Sequence, residues 1–359
     1  MVLRIAVLPG DGIGPEVCAE AVRVLQALNL DLDIHTADVG GCAIERFGTA
    51  LPEHALRLAQ DADAVLFGAV GTPRFDQDPS ATVRPEQAIL GLRKALDLFA
   101  NLRPVRTFDA LLDASPLKPE IVRGTDLIIL RELTAGAYFG KPQGQVGQPP
   151  DRSAVDTTSY TEAEIRRLLI MAFELARGRK RKVTQADKAN VMATGRLWRA
   201  VAHELREEYP DVTYEDMYAD ACAMHLLRNP RRFDIIATEN LFGDILSDEA
   251  SMLAGSMGML PSASLGDALN RHGYRRGLYE PIHGAAHDIA GQGVANPLAM
   301  ILSAAMMLRW SFGLVEQAGR IERAVARALD DGLRCRDIAS PGTTVLGTRE
   351  MAQAVIDRL

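Results

Sequence analysis

The stretch "LRIAVLPGDGIGPEVCAEAVRVLQALN" (3–29) decides how the chain begins to fold. Its first eight residues are a short apolar run ending in turn residues, the pattern of a buried strand. From Pro15 onward the apolar residues recur at helical spacing. Proline suits a helix's first turn, where its missing N–H has no intrahelical partner to lose. Between the two lies "GDGIGPE" (10–16), a glycine loop joining strand to helix, where a dinucleotide-binding loop would sit. Its spacing is GxGxG. Pro15 stands where the third glycine of the Rossmann fingerprint would let helix and strand pack closely. The stretch therefore predicts an α/β protein that lacks a standard Rossmann fold, with a loop whose backbone a ligand can still approach.

The same alternation continues. "ADAVLFGAVG" (62–71), "TDLIILREL" (125–133) and "RFDIIATENL" (232–241) read as strands; "EAEIRRLLIMAFELARGR" (162–179) and "RLWRAVAHELREEYP" (196–210) read as amphipathic helices. Such alternation indicates an α/β architecture. "GKPQGQVGQPPDRSAVDTTSY" (140–160) is too rich in glycine and proline for a helix and reads as an excursion or a partner-binding arm. With 359 residues, 47% hydrophobic and 24% charged, the chain is long enough for more than one core. A formal net charge of -7 argues against nucleic acid, which needs clustered cations. The basic run "RGRKRK" (177–182) suits a helix C-terminus. Four scattered cysteines without CxxC spacing fit neither a zinc site nor a disulfide framework. The opening residues do not read as a signal peptide, and "PLAMILSAAMML" (297–308) is too short to span a membrane. These features predict a cytoplasmic protein that binds neither membrane nor nucleic acid.

Several charged residues interrupt apolar runs. Arg93 and Arg103 lie in "LGLRKALDLFANLRP" (90–104), and Arg131 ends the run in "DLIILREL". A single arginine in such a place usually snorkels or pairs with an acid. Three together suggest a pocket for a substrate with two carboxylates, since guanidinium forks bind carboxylates bidentately. Tyr138 in "RELTAGAYFG" (131–140) is either a surface turn residue or a general acid. Lys188 in "VTQADKANV" (183–191) reads by default as a surface lysine. In "ENLFGDILSDEA" (239–250), Asp244 and Asp248 stand four apart, a spacing that costs about 0.2–0.5 kcal/mol on an exposed helix. A helix N-terminus or a solvated face would explain them. So would a hard-cation site completed by Asp220 of "YEDMYADACAMHLL" (214–227), because Mg2+ takes a few carboxylates plus substrate oxygens and water.

Six motifs then carry a resemblance: "LPGDGIGPE", "DLFANLRP", "RELTAGAYFG", "VTQADKANV", "ENLFGDILSDEASMLAGSMGMLPSASL" and "YEPIHGAAHDIAGQGVANPLAMILSAAMML". Together they resemble the isocitrate/isopropylmalate β-decarboxylating dehydrogenases over nearly the whole chain. The resemblance implies a two-domain α/β subunit, with 1–99 plus 253–359 on the cofactor side and 100–252 forming the substrate and dimerisation domain. It implies a homodimer with an arm near 140–160, and active sites in the interdomain cleft that borrow Lys188 and Asp220 from the partner. Arg93, Arg103 and Arg131 would hold substrate carboxylates, and Asp244, Asp248 and Asp220 would hold Mg2+ or Mn2+ beside the substrate. Lys188 would take the C2 hydroxyl proton and Tyr138 would protonate the enolate carbon.

NAD would lie against Gly71, Thr72, Glu280, His283, Gly284, Ala285, Ala286, Asp288 and Asn296, with Asp288 accepting from the ribose 2′-OH. The loop departs from the family pattern HGSAPD at Ala285 and His287. Glu86, Ile89 and Leu90 share a helical face with Arg93 and would meet the substrate's variable group, although a helix packing Ile89 and Leu90 into a core would look the same. An aliphatic wall favours 3-isopropylmalate, giving 4-methyl-2-oxopentanoate in leucine biosynthesis. A longer alkylmalate, tartrate or homoisocitrate is the alternative substrate.

Overall fold

The computed structural model describes residues 1–77 and 81–359. In chain order its strands are β1 (Leu3–Gly10), β2 (Leu32–Thr36), β3 (Ala64–Ala69), β4 (Ala100–Arg106), β5 (Asp126–Glu132), β6 (Gly144–Val146), β7 (Ser153–Val155), β8 (Lys182–Asp187), β9 (Thr213–Tyr218), β10 (Ile235–Thr238), β11 (Pro261–Leu269), β12 (Arg275–Pro281), β13 (Leu333–Arg334) and β14 (Thr344–Val345), the last two forming a short parallel pair of their own. The chain forms two compact units, one of Met1–Leu98, Thr107–Pro119 and Ala254–Leu359, the other of Phe99–Arg106 and Glu120–Leu253.

In the first unit the strand order is β2-β1-β3-β12-β11, parallel except for the antiparallel pairing of β12 with β11. Alternate residues of a strand face opposite sides. Ala6 and Leu8 of β1 and Val65 and Phe67 of β3 point to one side, into a core closed by Ala55 and Ala59 of helix Glu53–Asp61 and by Ala88, Ile89 and Leu92 of helix Gln87–Ala95. Helix Leu298–Phe312 packs on β11 and β12 and against helices Gly14–Ala27 and Val315–Asp330. Nearly every residue of Leu298–Phe312 is buried, which explains its unbroken apolar sequence: it is a core helix, hydrophobic all round. Among the described residues no helix is long and apolar enough to cross a membrane.

The second unit orders its strands β4-β5-β10-β8-β9, with β4 antiparallel to β5 and the rest parallel. Trp198 of helix Ala193–Leu205 and Phe173 of helix Glu162–Arg177 are fully buried in it. A capping box closes the start of Glu162–Arg177: the Thr161 hydroxyl accepts from the Glu164 N–H, and the Glu164 carboxylate accepts from the Thr161 N–H. The irregular 140–160 segment holds the short antiparallel ribbon β6–β7, all six of whose residues are exposed.

Candidate active site

Strand pairing sets the first cluster, in the second unit. Asn101 of β4 lies opposite Arg131 of β5, and Arg103 lies two residues along β4, so all three side chains share one face of the sheet. Helix Asn240–Ser251 packs on that face. Its start is fixed by Glu239, whose side chain accepts the Phe242 N–H at 2.8 Å. Asn240, Asp244, Ser247 and Asp248 then follow at the helical spacing that puts them on one side.

The arginines fasten onto this stripe. Buried Arg131 donates from Nε to Asn240 Oδ1 at 2.9 Å and from Nη1 to Asp244. Arg103 donates to Asn101, Ser247 and Asp244, and its Nη1 lies 3.6 Å from Asp248. The Tyr138 hydroxyl donates to Asp244 Oδ2 at 2.8 Å, and its ring centroid is 5.5 Å from the Arg131 guanidinium carbon.

These surroundings separate the two aspartates. Burial pushes the Asp244 carboxyl up, but Arg131, Arg103 and the Tyr138 hydroxyl outweigh it and hold the group below the usual aspartate value. At Asp248, burial and the negative charge of Asp244 prevail over the arginines, and its carboxyl is raised. Burial, and then Asp244, raise the Tyr138 hydroxyl above the ordinary tyrosine value.

A second cluster in the same unit pairs Lys188 Nζ with Asp220 Oδ2 at 2.8 Å. Lys188 follows the end of β8, and Asp220 stands in the first turn of helix Ala219–Arg228. The hydrogen bond from Lys188 holds the exposed Asp220 carboxyl below its ordinary value. Among the described residues no three His, Cys, Asp or Glu side chains gather closely enough to hold a metal, so within one chain Asp220 does not join Asp244 and Asp248.

The first unit carries a cleft of about 440 Å3, with Gly71 and Glu86 on its lining together with Ala285, Ala286, His287 and Asp288. The 10–16 loop supports it. Gly12 has φ +58, and a Cβ there would fall 1.8 Å from the Ala285 carbonyl oxygen, the same oxygen that accepts the Ile13 N–H at 2.8 Å. The His287 ring bonds the Gly71 carbonyl across the cleft. Two residues before Ala285, His283 Nε2 is buried without a partner, and burial lowers that ring's pKa.

Other candidates of this unit are engaged within the chain. Arg93 pairs with Glu280 at 2.9 Å. The Asn296 amide donates to Asp337 at 3.1 Å and its oxygen accepts the Leu298 N–H at 3.0 Å. Gly284 is exposed, and Thr72 lies against Gly41. The helical face of 86, 89, 90 and 93 is divided: Glu86 opens on the cleft, whereas Ile89, 8% exposed, belongs to the core with Leu90 packed against it.

Three supporting residues escape a reading of charged residues in apolar runs. Asn240 and Ser247 hold the arginines from the helix stripe; their signal is the helical spacing they share with Asp244 and Asp248. Asp11, also buried, accepts the N–H groups of Gly41, Cys42 and Gly71 at 2.7, 2.9 and 3.1 Å, and so ties the first glycine loop to the cleft wall. Its signal was an acid between two glycines at a strand end.

Comparison with known proteins meets this geometry. Residues 4–355 match the family model described as isocitrate/isopropylmalate dehydrogenase. A 3-isopropylmalate dehydrogenase of Bordetella avium (strain 197N) is 56% identical, with all of both chains covered. Another, from Geobacillus kaustophilus (strain HTA426), is 55% identical over 98% of this chain and 94% of its own. Among solved structures, an isocitrate dehydrogenase from Methylococcus capsulatus superposes with a TM-score of 0.88 at 34% identity, covering 99% of each chain. An α/β decarboxylating dehydrogenase is the class these findings define. The chain belongs to the isocitrate/isopropylmalate dehydrogenase family.

Proposed function

We propose that the protein catalyses the NAD-dependent oxidative decarboxylation of 3-isopropylmalate to 4-methyl-2-oxopentanoate in leucine biosynthesis. The observation that carries the chemistry is the convergence of Arg103, Arg131 and Tyr138 on Asp244, with Asp248 one turn further along the helix. Two buried guanidiniums suit a carboxylate substrate. The choice of malate is supported by relatives named for 3-isopropylmalate at 55–56% identity, against 34% for the isocitrate dehydrogenase.

The donor set fits a divalent cation. Asp244 and Asp248 are hard oxygen ligands one helical turn apart, and burial, then the neighbouring Asp244 charge, raise the Asp248 carboxyl, both of which a bound cation would offset. Asp244, Asp248 and Asp220 of the partner subunit would hold Mg2+ or Mn2+. The first-unit cleft fits NAD through Asp288, a carboxylate able to accept from a ribose hydroxyl, and the orphaned, buried Nε2 of His283, two residues before the lining residue Ala285, is a donor or acceptor still to be satisfied. When bound, the cation supplies Lewis-acid stabilisation of oxygen charge and NAD supplies the hydride acceptor.

The chain's own groups do the rest. Arg103 and Arg131 hold a substrate carboxylate. Lys188 Nζ takes the proton of the C2 hydroxyl. After carbon dioxide leaves, the Tyr138 hydroxyl gives its proton to the enolate carbon.

A homodimer is part of the reading. Helices Ala219–Arg228 and Asn240–Ser251 contact each other and expose Met224, Leu227 and Ile245, an apolar face that a second copy would cover. Asp220 stands on the first of these helices, so the same contact would carry it to the partner.

Initial rates with 3-isopropylmalate, isocitrate, homoisocitrate and tartrate, each with NAD or NADP and with Mg2+ or a chelator, test the assignment. The expected result is the highest kcat/KM for 3-isopropylmalate with NAD and loss of activity on chelation. A preference for a tricarboxylate or for tartrate would overturn the substrate while leaving the family chemistry.

A further inference from the structure

We propose that Arg199 is a positioning residue for Lys188, fixing the direction in which that amine leaves the end of β8. The inference deepens the functional reading and rests on Lys188 as the proton acceptor.

Lys188 sits at a corner pinned on both sides. The side chain before it, Asp187, is 2% exposed and receives the Arg199 fork, Nε to Oδ2 at 3.0 Å and Nη2 to Oδ1 at 2.8 Å. The same carboxylate accepts the Ala189 N–H at 2.9 Å, so Asp187 closes a turn around Lys188. The Lys188 carbonyl accepts the N–H groups of Val191 and Met192 at 3.1 and 2.9 Å. Helix Ala193–Leu205 lies directly against this corner. A Cβ at Gly195 would fall 2.7 Å from the Ala189 nitrogen and 2.9 Å from the Lys188 carbonyl carbon. Arg199 stands one turn beyond Gly195 on that helix.

Its guanidinium also bounds the path of the lysine side chain. Arg199 Cζ and Lys188 Nζ lie 5.1 and 5.7 Å from the centroid of the same ring, that of Tyr218. Arg199 thus fixes both the backbone turn and the ring over which the amine extends toward Asp220. Bidentate geometry is the property that lysine at 199 would not reproduce.

A merely structural Arg199, serving only to neutralise buried Asp187, would act independently of Lys188. A double-mutant cycle on the full chain separates the two. Arg199→Gln is expected to lower kcat about 10–100-fold with KM for 3-isopropylmalate within about twofold, because misplacing a reacting group reduces turnover rather than binding. In a Lys188→Ala background, with activity partly restored by added ethylamine, the same substitution is expected to change the rate less than about twofold, since a free amine needs no aiming. Equal losses in the two backgrounds would overturn the proposal while leaving Lys188 its role. Near-normal activity of Lys188→Ala without amine would instead remove the functional reading, and this inference with it. If Arg199→Gln fails to fold, Arg199→Lys is carried through the same cycle with the same criteria.

Discussion

Asp244 and Asp248 stand one helical turn apart and yet live in different electrostatic worlds. Asp244 is the partner of two buried guanidiniums and a tyrosine hydroxyl; Asp248 opens more to solvent and meets Arg103 at 3.6 Å, so partial burial and its neighbour's charge prevail. Asp244→Asn and Asp248→Asn should each lower kcat by about 10²–10³-fold if both hold the cation. Melting in chelator should separate them further. Asp244→Asn should lose about 1–3 kcal/mol of stability, because buried arginines lose a charged partner. Asp248→Asn should melt no lower than the parent, since it removes repulsion. A fall in melting temperature for Asp248→Asn equal to that for Asp244→Asn would contradict this account.

Arg103 and Arg131 were legible as charged residues in apolar runs, and the two aspartates as like charges one helical turn apart; Tyr138 stood open between a surface turn residue and a general acid. Asn240, Ser247 and Arg199 were not. An asparagine at a helix start, a serine inside a helix and an arginine on an amphipathic face are each ordinary in their local sequence. Tertiary contact distinguishes them; for Asn240 and Ser247 the one local sign is the helical spacing they share with the aspartates.

At the level of elements, apolar runs and turn residues made the α/β class readable, and the failed glycine fingerprint pointed away from a standard dinucleotide loop. Local sequence could not reveal what Gly12 touches. Its contact is the Ala285 carbonyl, far along the chain, and a side chain there is both strained and obstructed. Gly12→Ala should therefore raise KM for NAD about tenfold or more while changing KM for the malate little, as initial rates would read. Comparable increases for both substrates would show that the loop has no special tie to the cofactor cleft. Helical periodicity also could not assign the face of Ile89. A residue pointing into a core and one pointing into a pocket have the same spacing, and the structure puts Ile89 in the core.

The edge strand β9 carries a pH prediction. Burial pushes the Glu215 carboxyl up, but Lys182, Thr184 and Arg232 outweigh it and hold the group below the usual glutamate value of 4.5. Below that value the unfolded chain binds more protons here than the folded one. The stability Glu215 lends is therefore complete above pH 4.5 and is lost as pH falls through the lowered folded value. Glu215→Gln should flatten the acid limb of the melting curve in that window and leave the slope above it unchanged. An identical acid limb in parent and variant would show that the pairing is unimportant.

Across the whole molecule, the prediction concerns pairs of chains. Lys188 pairs with Asp220, while Arg131 and Tyr138 meet at Asp244, and among the described residues the three acids form no common metal group within one chain. If each active site draws the first pair from a partner, inactive Lys188→Ala and Arg131→Ala dimers should regain activity after subunit exchange. One site of the mixed dimer would hold both wild-type residues, for about a quarter of the parent rate in an equal statistical mixture. Proven exchange without recovery would assign each site to a single chain.

The interleaving of the first unit has a consequence for synthesis. Its β3 lies between β1, made within the first ten residues, and β12, which begins only at Arg275. At about 5–20 residues per second, translation leaves that edge of β3 without its neighbour for roughly 10–40 s. All the strands of the second unit emerge in the meantime. A nascent chain therefore carries an open, apolar strand edge throughout that interval, the condition under which adjacent polysomal chains pair wrongly. Products of premature termination before Arg275 would keep that edge permanently, making them natural clients of chaperones and proteases rather than inactive bystanders.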